Sequence, residues 1–161
     1  MASPATLRVQ RLHEDAVIPT RAHPGDAGID LVAVEAATLR AGGGRAMVGT
    51  GIAVEVPDGW AGLVCPRSGL AAKHGIGVVN GPGIVDAGYR GEVRVVLYNS
   101  DPDTDFEIAA GDRIAQLVLT PVSLAQVEEV SELSDASRGA AGFGSSGGFA
   151  APAAPPTGTA D

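Results

Sequence analysis

Four stretches of the chain hold side chains whose types and spacing could do chemistry. The first is PRSGLAAKHG, Pro66 to Gly75. Leu70, Ala71, Ala72 and Lys73 are helix formers, Ser68 suits an N-cap and Gly75 a stop, so the stretch predicts one short helix. A helix start exposes backbone N–H groups, and beside the Arg67 guanidinium and Ser68 hydroxyl these make an anion site of phosphate size. A capped turn with a surface arginine fits the same residues. The second is VNGPGIVDAGYRGEVRVVLYN, Val79 to Asn99, with Asp86 at the tip between two apolar arms. The third is DAGIDLVAV, Asp26 to Val34, in which Asp30 sits among apolar neighbours. Such an acid is either functional or an edge-strand carboxylate that meets water or caps a turn. The fourth is GDRIAQLVLTPV, Gly111 to Val122, where Gln116 is polar among apolar residues and must be hydrogen bonded to protein or ligand. Arg113 in the same stretch suits an ion pair as well as a substrate contact.

The elements that position these groups are mostly strands. Residues 78–85 and 92–99 predict a β-hairpin bending at Asp86, Ala87, Gly88 and Tyr89. Its glycines at 81, 83, 88 and 91 weaken a strand unless another molecule approaches the backbone, so a small planar ligand could lie between the arms. Period-two alternation puts Ile29, Leu31 and Ala33 on one face of a strand and Gly28, Asp30 and Val32 on the other. The same rule groups Ile114, Gln116 and Val118 against Arg113, Ala115 and Leu117. Further short strands are predicted at 7–12, 36–40, 46–56, 60–65 and 106–109. Trp60 and Cys65 read as packing residues, and His74 as a helix-end residue meeting the terminal carbonyls. Residues 126–130 close the ordered body.

Composition limits the function classes. With 161 residues and 45% hydrophobic content the chain predicts one all-β domain with a real core. One cysteine forms no internal disulfide, and no leader or membrane-length apolar run is read, so the expectation is a cytoplasmic protein. A net charge of −8 disfavours nucleic acid as a partner while leaving room for a local anion pocket. From Ser134 onward there is no Leu, Ile, Val or Met, which predicts an ordered, strand-rich domain over 1–133 and a flexible arm over 134–161. Yet the arm carries Arg138, Phe143 and Phe149 among glycines, a composition able to wrap a ligand.

DAGIDL, PRSGLAAKHG, VNGPGIVDAGYRGEV, GDRIAQLVL and RGAAGFGSSGG, in this order, resemble the five motifs of the trimeric dUTPases. The resemblance implies a jelly-roll-like β-barrel with one short helix, assembled as a homotrimer with active sites at subunit boundaries. It implies hydrolysis of dUTP to dUMP and pyrophosphate by Mg²⁺-assisted attack of water on the α-phosphorus, limiting uracil in DNA and supplying dUMP for dTMP. Asp86 matches the acid that activates the water, and Asp30 the acid that approaches Mg²⁺ through water, with Asp26 a weaker second. Arg67, Ser68, Gly69 and Gln116 match phosphate-binding positions. Asn80, Ile84 and Val85 match the uracil and nucleoside contacts, Tyr89 the ring under deoxyribose, and Arg94 a further substrate-binding position. The fifth motif, 138–148, brings Arg138 to the γ-phosphate and Phe143 over uracil, while residues 149–161 have no assigned role. A dCTP deaminase of related fold and a nucleotide-sensing protein without catalysis are the alternatives.

Overall fold

Ten strands and one short helix make up the described part of the chain, residues 5–136 and 140 of the computed structural model. In order they are β1 (Arg8–Arg11), β2 (Gly28–Val32), β3 (Ala37–Leu39), β4 (Arg45–Glu55), β5 (Trp60–Cys65), α1 (Ser68–His74), β6 (Ile76–Val78), β7 (Gly83–Val85), β8 (Glu92–Asn99), β9 (Phe106–Ile108) and β10 (Arg113–Pro121). The all-β expectation with one short helix is therefore met. The strands form two four-stranded sheets, ordered β1-β4-β8-β6 and β2-β10-β5-β7, and a ribbon of β3 and β9. Hydrogen bonding among the described residues does not close into one barrel.

The chain divides into two compact units, residues 1–125 and 126–161. All strands and the helix belong to the first. In the second, the described residues 126–136 and 140 form neither helix nor strand, and Val127 and Leu133 are exposed. Arg138, Phe143, the rest of the fifth motif and the tail lie outside the described residues.

A single apolar core takes side chains from both sheets and the ribbon. Leu31 from β2, Leu39 from β3, Ile52 from β4, Leu97 from β8 and Leu117 from β10 are fully buried. Each such side chain contributes roughly 1.5–3 kcal/mol by leaving water. The alternation predicted for β2 holds, with Ile29 and Leu31 inward and Asp30 outward. In β10 it fails at one end. A register shift between Arg113 and Ala115 buries Ile114 together with Ala115 and Leu117, and leaves Gln116 and Val118 on the other face. A bulge inserts a residue and inverts parity on one side of itself.

The predicted hairpin is corrected in kind. Its two arms pair only at their outer end, where Val78 of β6 lies opposite Leu97 and the Val79 amide donates to the Val96 carbonyl at 2.8 Å; nearer the bend β7 pairs with β5 in one sheet, while β8 pairs with β4 and β6 in the other. Residues 79–82 cross from β6 to β7, and 86–91 cross back to β8. Alternation within each arm cannot say which neighbour it bonds. Helix α1 also differs at its start. Arg67, in extended conformation, is the N-cap and Ser68 is the first helical residue, with no side-chain cap. Gly75 ends the helix in the left-handed region at φ 66°, which only glycine adopts without strain, and its N–H donates back to the Ala71 and Leu70 carbonyls. His74 packs its ring on Phe106, centroids 5.0 Å apart.

Candidate active site

The crossing of the chain between sheets opens a cleft of about 280 Å³. Asn80, Gly83, Ile84, Val85 and Tyr89 line it from the β6–β7–β8 crossings, and Met47, Glu92 and Arg94 from the other sheet. β7 is the edge strand of its sheet, so one side of its backbone takes no strand partner. An unpaired strand edge offers N–H and C=O groups in a fixed row to whatever lies beside it. Ile84 is exposed at 69% of its surface, unusual for a large apolar side chain unless something covers it.

Tyr89 is positioned by two hydrogen bonds: its amide donates to the Asp86 carbonyl at 3.0 Å, and its hydroxyl to the Glu92 carbonyl at 2.9 Å. The ring lies against Gly91, where any Cβ would collide with the phenol. Gly91 has no positive φ, so close approach rather than backbone freedom requires glycine there. Asp86 follows β7 directly and is exposed, next in the chain to the lining residue Val85 but not itself part of the cleft wall. Glu92 accepts the Gly51 amide at 2.9 Å at the β4 irregularity and stands 3.8 Å from the Arg94 guanidinium. Its only sequence signal is an acid at a strand start, too common to single it out.

A second, polar pocket of about 640 Å³ gathers the groups of the first, second and fourth motifs. The strand register explains how. Gln116 of β10 is paired with Asp30 of β2 on one side and Cys65 of β5 on the other. Directly opposed residues share a face, so the acid and the amide form one row. β5 then runs through Pro66 into α1, whose Arg67, Ser68 and Gly69 overhang that row. The Gln116 amide donates to the Pro66 carbonyl at 3.1 Å, fixing its side chain. Gly28 lies so close to Gln116 that a Cβ would overlap its Oε1.

Asp30 is held between two guanidinium groups, 3.4 Å from Arg67 Nε and 3.1 Å from Arg113 Nη1, with 16% of its side chain exposed. Lys73 and Asp26 complete the charged lining. Lys73 was legible only as a helix former; its place one turn along α1 gives it a view of the pocket. The uncapped first turn of α1 adds backbone donors, so the pocket can bind an anion with several negative oxygens.

The donor set fits a hydrated divalent cation only in part. Among the described residues no group of three or more His, Cys, Asp or Glu side chains converges. Asp30 is already ion-paired with two arginines and accepts a hydrogen bond from Arg113, so it can meet Mg²⁺ through water, the usual manner of a small cation that keeps its hydration. Among the described residues no helix is long and apolar enough to cross a membrane.

No residue lines both cavities. The chain thus carries a strand-edge cleft and a cationic, amide-rich pocket as separate features, an arrangement suited to a ligand with a flat apolar end and a polyanionic end. Residues 14–147 match the dUTPase family model. The chain belongs to the dUTPase family. It is 53% identical over 150 residues to the deoxyuridine 5'-triphosphate nucleotidohydrolase of Rhodococcus erythropolis, covering 93% of this chain and 91% of that one. The enzyme of the same name from Thermobifida fusca is 58% identical over 147 residues, covering 91% and 82%. Among solved structures, the Staphylococcus bacteriophage 80alpha dUTPase with dUPNHPP superposes at TM-score 0.82 with 32% identity, covering 88% of this chain and 98% of that one. A dUTPase variant from phage phi11 of S. aureus, described with a structural Mg(II) ion, superposes at 0.73 with 29% identity over 79% and 97%.

Proposed function

We propose that the chain hydrolyses dUTP to dUMP and pyrophosphate by attack of water on the α-phosphorus. What carries the reading is the pairing of a strand-edge cleft with a cationic helix-start pocket on a chain of the dUTPase family. The free edge of β7 offers uracil's O2, N3–H and O4 a complementary row, aided by Asn80; cytosine presents the opposite pattern at position 4 and would leave groups unpaired. Ile84 and Val85 flank the nucleoside. The Tyr89 ring, fixed through Glu92, packs under deoxyribose and leaves no space for a 2′-hydroxyl. Arg94, braced by Glu92, is a further substrate contact.

Asp86 is the general base, orienting and deprotonating water, a role worth ~10²–10⁴ in rate. Arg67, Ser68, Gly69 and Gln116 hold the phosphates and take up the charge that develops on the leaving pyrophosphate. Bound Mg²⁺ would polarise the phosphate oxygens, its hydration shell reaching Asp30. The family resemblance supports a complete site formed between copies in a homotrimer of jelly-roll-like subunits, with Arg138 and Phe143 closing over the γ-phosphate and uracil; two cavities with no lining residue in common are compatible with it. The cellular role is cytoplasmic, limiting uracil incorporation into DNA and supplying dUMP for dTMP synthesis. Mixing Arg67→Ala and Asp86→Asn subunits tests the shared site: activity above that of either variant alone is expected, and none after subunit exchange would refute it.

A further inference from the structure

We infer that Arg113 is a positioning residue for phosphate binding, acting through Asp30 and Arg67; the inference rests on the dUTP reading of the same pocket. Three contacts link these three residues, two of them made by Arg113 itself. Its Nη1 donates to Asp30 Oδ2 at 3.1 Å, Asp30 Oδ1 lies 3.4 Å from Arg67 Nε, and Arg67 Nη1 donates to the Arg113 carbonyl at 3.2 Å. The three residues thus form a closed ring, in which Arg113 restrains one partner by its side chain and the other by its backbone. The β10 register shift adjacent to Arg113 is what departs from the regular ladder there.

Arg113 itself lines not the polar pocket but an adjoining cavity, where Arg67 and Leu70 form the shared wall. Direct phosphate contact is therefore assigned to Arg67, and control of Arg67 to Arg113. The electrostatic consequence follows from charge count. With two guanidiniums on one carboxylate, the ring keeps one net positive charge, and Asp30 satisfies each with one oxygen. Remove Arg113, and Asp30 has a single partner: it draws Arg67 into a full ion pair and leaves the pocket locally neutral toward an incoming triphosphate. Arg113 is half-exposed, so its own pairing with Asp30 adds little to stability. Its effect should show in ligand binding instead.

The test measures dissociation constants of the imido analogue dUpNHpp and of deoxyuridine for the full chain. Arg113→Gln should weaken dUpNHpp by roughly tenfold, the scale of one charge-assisted contact, and leave deoxyuridine unchanged. Arg113→Lys, which restores the charge beside Asp30, should recover most of the loss. The decisive arm is a double-mutant cycle with Asp30→Asn. If Arg113 acts through Asp30, its loss costs less than about half as much in that background on the logarithmic scale. Equal cost in both backgrounds would mean direct phosphate contact and overturn the inference. Equal weakening of dUpNHpp and deoxyuridine with a lowered melting temperature would reduce Arg113 to a structural role and also overturn it. A wild-type chain that neither binds dUpNHpp nor hydrolyses dUTP would instead refute the proposed function.

Discussion

Gly28→Ala is the sharpest probe of how the fold aims a phosphate ligand. A Cβ at Gly28 overlaps Gln116 Oε1 and meets Gln116 Cδ at 3.0 Å and Cβ at 3.3 Å. Ordinary carbon contact requires roughly 3.5 Å, so the amide must swing away by about 1 Å. The hydrogen bond it donates to the Pro66 carbonyl starts at 3.1 Å, and that displacement breaks it. With Gln116 released, the phosphate contact proposed for it would be lost, a charge-assisted bond worth about 1.5–3 kcal/mol, or about 10- to 150-fold in affinity. The fold itself should hardly notice. Gln116 is half-buried and can turn outward, and alanine reduces unfolded-chain entropy enough to offset part of the lost bond. Steady-state kinetics on dUTP, inhibition by deoxyuridine and a thermal melt separate these effects. KM for dUTP should rise by at least tenfold at unchanged deoxyuridine inhibition, and Gln116→Ala should reproduce the loss without adding to it in the double variant. An unchanged KM with an intact melting curve would refute the reasoning.

Three further outcomes follow from the same geometry. Asp86→Asn should still bind dUpNHpp but lose ~10²–10⁴ in turnover, measured as pyrophosphate release; unaltered turnover would remove it as the base. Tyr89→Ala removes the ring held against Gly91 and should narrow the preference for dUTP over UTP about tenfold, read as a ratio of kcat/KM values. Asp105 is held below the usual 3.8 by the Ala41 amide and then by the Arg40 guanidinium. A carboxyl depressed in the fold contributes stability above its unfolded pKa and loses it as pH falls through the folded value. Asp105→Asn should therefore lower the melting temperature near neutrality and converge on the wild type in acid below pH 3.8; a difference that persists undiminished in acid would contradict this.

How much of this was legible in the sequence depended on whether the signal was local. The inward Ile29 and Leu31 and outward Asp30 follow from alternation alone, and the Gly75 stop follows from its left-handed conformation. Strand partnership was not legible. β7 and β8 look like one hairpin because each is apolar and a turn joins them, yet the ladder of each goes to a different sheet. That split is what makes the cleft. Parity in β10 broke at a bulge that no residue announces. Asn99 shows the same limit from the other side: its amide donates to the Leu39 and Thr104 carbonyls and its Oδ1 accepts the Asp101 amide, entirely buried. Nothing in a polar residue at a strand end foretells a clamp across 60 residues of chain. The candidate site residues were singled out through their motif spacing, but the ring of Asp30, Arg67 and Arg113 needed the register to bring it together.

The most direct test of the account is pyrophosphate release from dUTP, dCTP, dTTP and UTP, each with and without Mg²⁺ and with ammonia followed in parallel. The account predicts dUMP and pyrophosphate from dUTP with Mg²⁺, far slower release from the other three, and no ammonia. Ammonia from dCTP, or tight dUTP binding with no pyrophosphate formed, would contradict it.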